Sequence, residues 1–340
     1  MITYQKVSQL RLERATWPQA PFWQATTVAP YGAPRGHDIA VNYLTLTATG
    51  KAKREITVTR SVAGRLEREQ RLDEPVLVES ADATETVFRR GEEALRILQS
   101  RSIRTMQLIS TAGRLPAIEP ATTSSVVISC WPLLVGDLSR LFRRASVAGF
   151  QWGALVPAIL PPEVAEESLR EIADLAAENG ALFLASAPLD LDISARHTLA
   201  AMLGGDTGAW QSMFDTDRDD ESVDTERLVA KLAHERSIGD RVTTPGLTPY
   251  GNWSAAIRLS VAGARLLRLK RDVELGWTLL RSAKLVAQLH KPIDRIAAAA
   301  SLSIIQSLDP TSVAALEAWL RRDDTSFFDE IDEDWRSVGG

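Results

Sequence analysis

The residue types able to move protons or hold a metal are gathered at a few places in this 340-residue chain. The tightest group is Leu-Asp-Leu-Asp at 189–192, where Asp190 and Asp192 lie two apart in an extended run. Side chains at that spacing point to one side of a strand. With His197 close behind, they have the donor types to hold a divalent cation or to divide acid and base roles. The competing assignment is local: Asp192 caps a helix starting at Ile193, and Asp190 faces solvent. Asp82 closes the apolar run EPVLVES, and His37 follows Arg35-Gly36 in a loop rich in glycine and proline. A histidine there can ligate or can bond nearby backbone. His37, His197, His234 and His290 are the four histidines, and no two stand at metal-ligand spacing. Cys130 is the single cysteine. In an apolar strand beside Trp131 it reads as a buried core residue, not a nucleophile. Arg101, Arg104, Arg140, Arg143 and Arg144 make either a basic face or two ordinary solvated helix faces.

These side chains need a scaffold, and the hydrophobic pattern supplies one. Apolar strand segments are read at 24–29, 53–61, 74–80, 105–111, 124–131, 150–160 and 181–192. Helical periodicity falls between them at 62–72, 86–100, 138–149 and 161–180. Prolines open the last of these, acids fill its first turns, and Gly180 stops it. Strands alternating with helices every ~30 residues imply βα units and a parallel sheet. Seven strands before residue 192 suit a (β/α) barrel, closed or in its six- to seven-strand open form. No G-x-G-x-x-G follows a strand, which removes the main cue for a dinucleotide fold. On a barrel, chemistry sits at the strands' C-terminal ends, which selects His37, Asp82, Glu85, Thr111, Trp131, Asp137, Asp190 and Asp192.

The pattern changes beyond residue 205. Residues 206–252 are acidic and turn-rich and read as a linker and loop, in which DTDRDDESVDTER at 215–227 is a solvated loop or an exposed helix start. Residues 253–322 read as a helical bundle, punctuated by Asp272, Pro292 and Pro310. Residues 323–340 form an acidic tail in which Phe327, Phe328, Ile331 and Trp335 recur on one helical face. Such a segment docks in a basic, apolar groove. The groove belongs to a protein partner, or to this chain, where Arg268, Lys270 and Arg271 are the nearest basic cluster.

At 45% hydrophobic and 24% charged, the chain has enough apolar content for one large domain or a large and a small one. Its net charge of −5 disfavours a nonspecific nucleic-acid binder. No apolar run approaches the ~18–20 residues of a membrane span, and no secretory leader is read, so the expected location is cytoplasmic. One cysteine excludes an intramolecular disulfide and any cysteine-built zinc or iron–sulfur site.

The loop after the first strand, FWQATTVAPYGAPRGHDIAVNY at 22–43, resembles the cluster-binding loop of radical S-adenosylmethionine enzymes with its cysteines replaced. Ala29-Pro30-Tyr31 stands where that family often has N-P-Y. His37 falls between the first two cysteine positions of C-x3-C-x2-C, and Tyr43 follows the third. Those three positions hold Arg35, Ile39 and Asn42. The likeness is to the branch of spore photoproduct lyase and DNA repair photolyase-like proteins. It extends through Glu55-Ile56-Thr57-Val58-Thr59-Arg60, PVLVESADATETV at 75–87, Ile109-Ser110-Thr111-Ala112, VVISC at 126–130 and GFQWGALVPAILP at 149–161, in the family's order. It lacks the tyrosine, glutamine and lysine that the branch carries in these segments.

The resemblance implies a (β/α) barrel and, without three thiolates, no [4Fe–4S] cluster and no cofactor of that kind. Two functions follow from these readings. One is a cluster-free pseudoenzyme that binds, working beside an intact partner. The other is a barrel lyase or hydrolase acting on a small molecule through Asp82, Asp190 and His37.

Overall fold

The computed structural model describes residues 76–79, 105–110, 117–130, 138–158, 162–188, 219–241 and 249–337, with positions 96, 99, 100 and 115. The expected strands at 24–29 and 53–61 and the helix at 62–72 lie outside them, as does most of the helix at 86–100.

Five strands form one sheet: β1 (Val76–Glu79), β2 (Thr105–Ser110), β3 (Ser124–Ser129), β4 (Gln151–Ala158) and β5 (Leu184–Pro188). Every neighbouring pair is parallel, and the spatial order is the sequence order. Parallel neighbours require a crossover. Helix α1 (Leu138–Val147) supplies it between β3 and β4, and α2 (Pro162–Glu178) between β4 and β5. Leu138, Leu141, Phe142 and Ala145 form the buried stripe of α1; Ala165, Leu169, Ile172, Ala173 and Ala176 form that of α2. Both stripes lie on one face of the sheet, against Val126, Ile128, Trp152, Ala154, Val156 and Leu184. Phe142 and Trp152 meet there with ring centroids 4.7 Å apart. Alternation sends Val127, Leu155, Phe183 and Ala185 to the opposite face, and these are buried too. A sheet buried on both sides explains the continuous apolar runs of its strands.

Both helices stop at a glycine in the left-handed region, Gly149 at φ 79° and Gly180 at φ 73°. At each, the next residue's N–H reaches back to a carbonyl of the last turn: Phe150 to Ala145, and Ala181 to Ala176. The chain thereby turns straight into the next strand. Gly153 has a different reason: a Cβ there would sit 2.4 Å from the Phe183 ring.

The sheet unit runs further than the boundary expected at residue 205. Helix α3 (Asp219–Glu235) lies inside the stretch assigned to a linker. Its acidic first turn, read from the sequence as a solvated loop or an exposed helix start, is helical. Its second half buries Val229, Leu232 and Ala233 in the sheet's core. After it, Gly239 pairs parallel with Phe183, through Gly239 N–H to Leu182 O and Leu184 N–H to Gly239 O. A sixth parallel position therefore follows β5, again in sequence order.

The remaining described helices are α4 (Asn252–Arg268), α5 (Val273–Ala287), α6 (Ile293–Ala299), α7 (Pro310–Arg322) and α8 (Ser326–Arg336), with a 3₁₀ turn at Leu302–Ile304. Asp272 caps α5 by accepting from Leu275 N–H, and Asp309 caps α7 ahead of Pro310. Val261, Leu266, Leu279, Val286, Ile293 and Leu302 are buried. Buried Asn252 ties the start of α4 to the loop between α5 and α6 and to the first residue of α6: its Nδ2 donates to the carbonyls of Leu289 and Lys291, and its Oδ1 accepts from Ile293 N–H.

Candidate functional site

The residues expected to carry chemistry at the strand ends, Glu85, Thr111, Trp131 and Asp137 among them, fall outside the described part of the molecule. Arg35, His37, Ile39, Asn42, Asp82, Asp190, Asp192 and His197 all lie outside the described residues. His234 is exposed on α3, and His290 is exposed in the loop between α5 and α6. Among the described residues, no three His, Cys, Asp or Glu side chains come together to hold a metal. No described helix is long and apolar enough to cross a membrane. Cys130, just past β3, is fully buried in the helix-facing core, and its Sγ donates to Ile128 O at 3.3 Å. Burial pushes its thiol well above the ordinary range, so it carries no thiolate at neutral pH.

Two charged constellations stand out among the described residues. The first is buried. Arg265, on the face of α4 that also carries Val261 and Ala262, is 5% exposed. Its Nη2 meets Asp240 Oδ2 at 2.9 Å, and its Nη1 donates to Asp332 Oδ1. Arg336 approaches Asp240 at 3.3 Å, and Arg241 approaches Asp332 at 3.5 Å. The guanidinium of Arg265 also lies 5.8 Å from the Trp335 ring centroid. Nearby, Arg268 pairs with buried Glu226 of α3. Burial pushes the Asp240 carboxyl up. The charges of Arg265, Arg241 and Arg336 outweigh it and hold the group below the usual carboxylate range. Burial likewise works against the charge on Arg265, and its two aspartates more than restore it. Asp240 and Arg265, each held in its ionised form, offer no proton to move at neutral pH. The cluster's chemistry is attachment: it joins α4, the segment after α3, and α8.

The tail helix supplies half of that cluster. The tail's aromatic face is buried within the chain, with Phe328, Ile331 and Trp335 at 3%, 7% and 3% exposure. Arg271 pairs with Asp334, and Arg227 donates to the carbonyls of Trp335 and Ser337 at the helix's C-terminus. The groove expected for this tail is thus on its own chain, with Arg268 and Arg271 in or beside it. The same aromatic face is not free for another protein in this structure.

The second constellation is open. Arg140, Arg143 and Arg144 lie exposed on α1 and line a groove of about 740 Å³. Leu115, Ile118, Pro120, Val147 and Phe150 complete its apolar wall. The groove lies beside the start of β3 and the end of α1, away from the strands' C-terminal ends. On the neighbouring helices, Arg170 pairs with Glu166 at 2.6 Å and Arg236 with Asp174 at 2.7 Å. Among the described residues, the three groove arginines have no such carboxylate. Exposed Val147, 81% accessible, extends the apolar wall onto the surface. This arrangement has no nucleophile or base; it can bind. No family model, curated protein or solved structure matches the chain.

Proposed function

We propose that this chain is a binding or accessory protein built on the scaffold of radical S-adenosylmethionine barrel enzymes, without their cluster. The scaffold is a (β/α) barrel, closed or open, and the chain is a pseudoenzyme working beside an intact partner. The observation that carries the reading is the sheet order: five parallel strands in sequence order and a sixth parallel position at Gly239. Helices α1, α2 and α3 bury their apolar stripes in one core on one side of that sheet. A barrel grows in this way, each strand beside the last with its helix outside. The fit to a cluster fails on donor chemistry. Arg35, Ile39 and Asn42 offer no thiolate, and the one thiol of the chain is sealed against the helices. What remains to the scaffold is recognition, for which the arginine-lined groove has the right chemistry. Anaerobic incubation with ferrous iron and sulfide, followed by iron and sulfide determination, tests the reading. The expected result is colourless protein without stoichiometric iron. Stoichiometric iron with acid-labile sulfide and a brown colour would overturn it.

A further inference from the structure

We propose that the α1 groove is a docking site for an acidic, aromatic helical segment of another protein. The inference rests on reading the chain as a binding protein, and its test is separate from the iron determination above. Arg140, Arg143 and Arg144 stand at i, i+3 and i+4, so they share one face and lie within about 6 Å along the helix axis. A guanidinium row of that length matches carboxylates spaced one turn apart on a facing helix. The apolar wall between Leu115, Ile118 and Phe150 takes a large side chain, and Val147 at 81% exposure gives it a further contact. Charge alone would also suit a nucleic acid, but the apolar wall has nothing to gain from a phosphate backbone.

The molecule holds an example of this recognition elsewhere. Helix α8 presents Asp332 and Asp334 beside Phe328, Ile331 and Trp335. It is received by Arg265 and Arg271, while Arg258 stacks 4.6 Å from the Trp319 ring centroid and 5.8 Å from that of Phe328. Arginines around an apolar surface, receiving acids around aromatics, is the same pairing whose basic half the α1 groove offers, with no acidic counterpart among the described residues.

The probe is a fluorescein-labelled peptide of the sequence DDTSFFDEIDEDWRS, residues 323–337 of this chain, added to the full-length protein. Anisotropy should report saturable binding that weakens as salt is raised. The R140S/R143S/R144S protein should bind at least tenfold more weakly at an unchanged melting temperature. If that variant fails to fold, Val147→Glu decides, since it changes an exposed side chain and sets a carboxylate against the acidic peptide. It too should weaken binding at least tenfold. Binding indifferent to these substitutions means the peptide exchanges into the α8 site and overturns the proposal. So does the absence of saturable binding, equal binding of a scrambled peptide, or tighter binding of a labelled single-stranded oligonucleotide than of the peptide.

Discussion

Arg265 sits among apolar neighbours with two carboxylates, and its removal leaves both of them short of a partner in a closed space. A buried pair broken from one side costs ~3–5 kcal/mol, because the abandoned charge stays desolvated. Arg265→Ala should therefore lose about that much unfolding free energy, read from the denaturant midpoint at unchanged slope. The pH response follows from Asp240, whose carboxyl is held below its ordinary value by the surrounding arginines once burial is overcome. A group depressed in the folded state stabilises fully above its unfolded value of about 3.9, and that stabilisation disappears as pH falls through the lower folded value. Unfolding free energy followed from pH 7 into acid should fall below about pH 4, and Asp240→Asn should flatten that limb. Equal acid limbs in the two proteins would show that Asp240 is not the group responsible. The sequence pointed to Arg268 and Arg271 but passed over Arg265, which sits one turn beyond Val261 on the apolar stripe of α4. That position was the available signal, since a charge on a buried stripe needs a partner. Its partners, Asp240 and Asp332, are 25 and 67 residues away, beyond any local periodicity.

Helices α4 and α5 approach each other backbone to backbone. A Cβ on Gly263 would stand 2.7 Å from the Gly276 carbonyl oxygen, and one on Gly276 would stand 2.9 Å from Leu267. The obstacle at Gly263 is main chain, which cannot swing aside. Gly263→Ala should therefore part the helices and cost about 1–3 kcal/mol, despite alanine's better helix propensity. Thermal melting checks it, and an equal or higher midpoint would mean that the pair can spread at no cost. Element by element, much of the chain was legible. EPVLVES, TMQLIST, SSVVISCW and FQWGALVPAIL each contain an observed strand, and the helix expected at 161–180 is α2. These are long apolar or strongly amphipathic runs with glycine or proline at their ends. The start of helix α3 reads equally as loop or helix because its first turn, DDES, carries three acids, and the residues it adds to the sheet's core, Val229, Leu232 and Ala233, come only in its second half. Gly239 has no strand-like neighbourhood to announce its pairing with Phe183.

For the molecule as a whole, α8 is the fastening between the sheet unit and the helices that follow. It buries Trp335 with Val223 and Ala230 of α3, and Phe328 and Ile331 with the core around α4, α5 and α7. Each such side chain contributes roughly 1.5–3 kcal/mol when withdrawn from water. Deletion of residues 323–340 should therefore lower the melting temperature by many degrees and leave Arg265 without Asp332. A truncated protein that melts with the intact one would show that the helix is not held in solution. The sheet order has a kinetic consequence of its own. Because β1 to β5 and then Gly239 are laid down side by side in chain order, no strand has to be threaded between two already placed. Each closure spans one crossover only, and the entropy lost grows slowly with that span. The sheet can thus assemble by accretion along a single advancing front. A chain arrested partway presents a raw edge at the strand most recently added, and there a half-made molecule would recruit a stray strand from its neighbour.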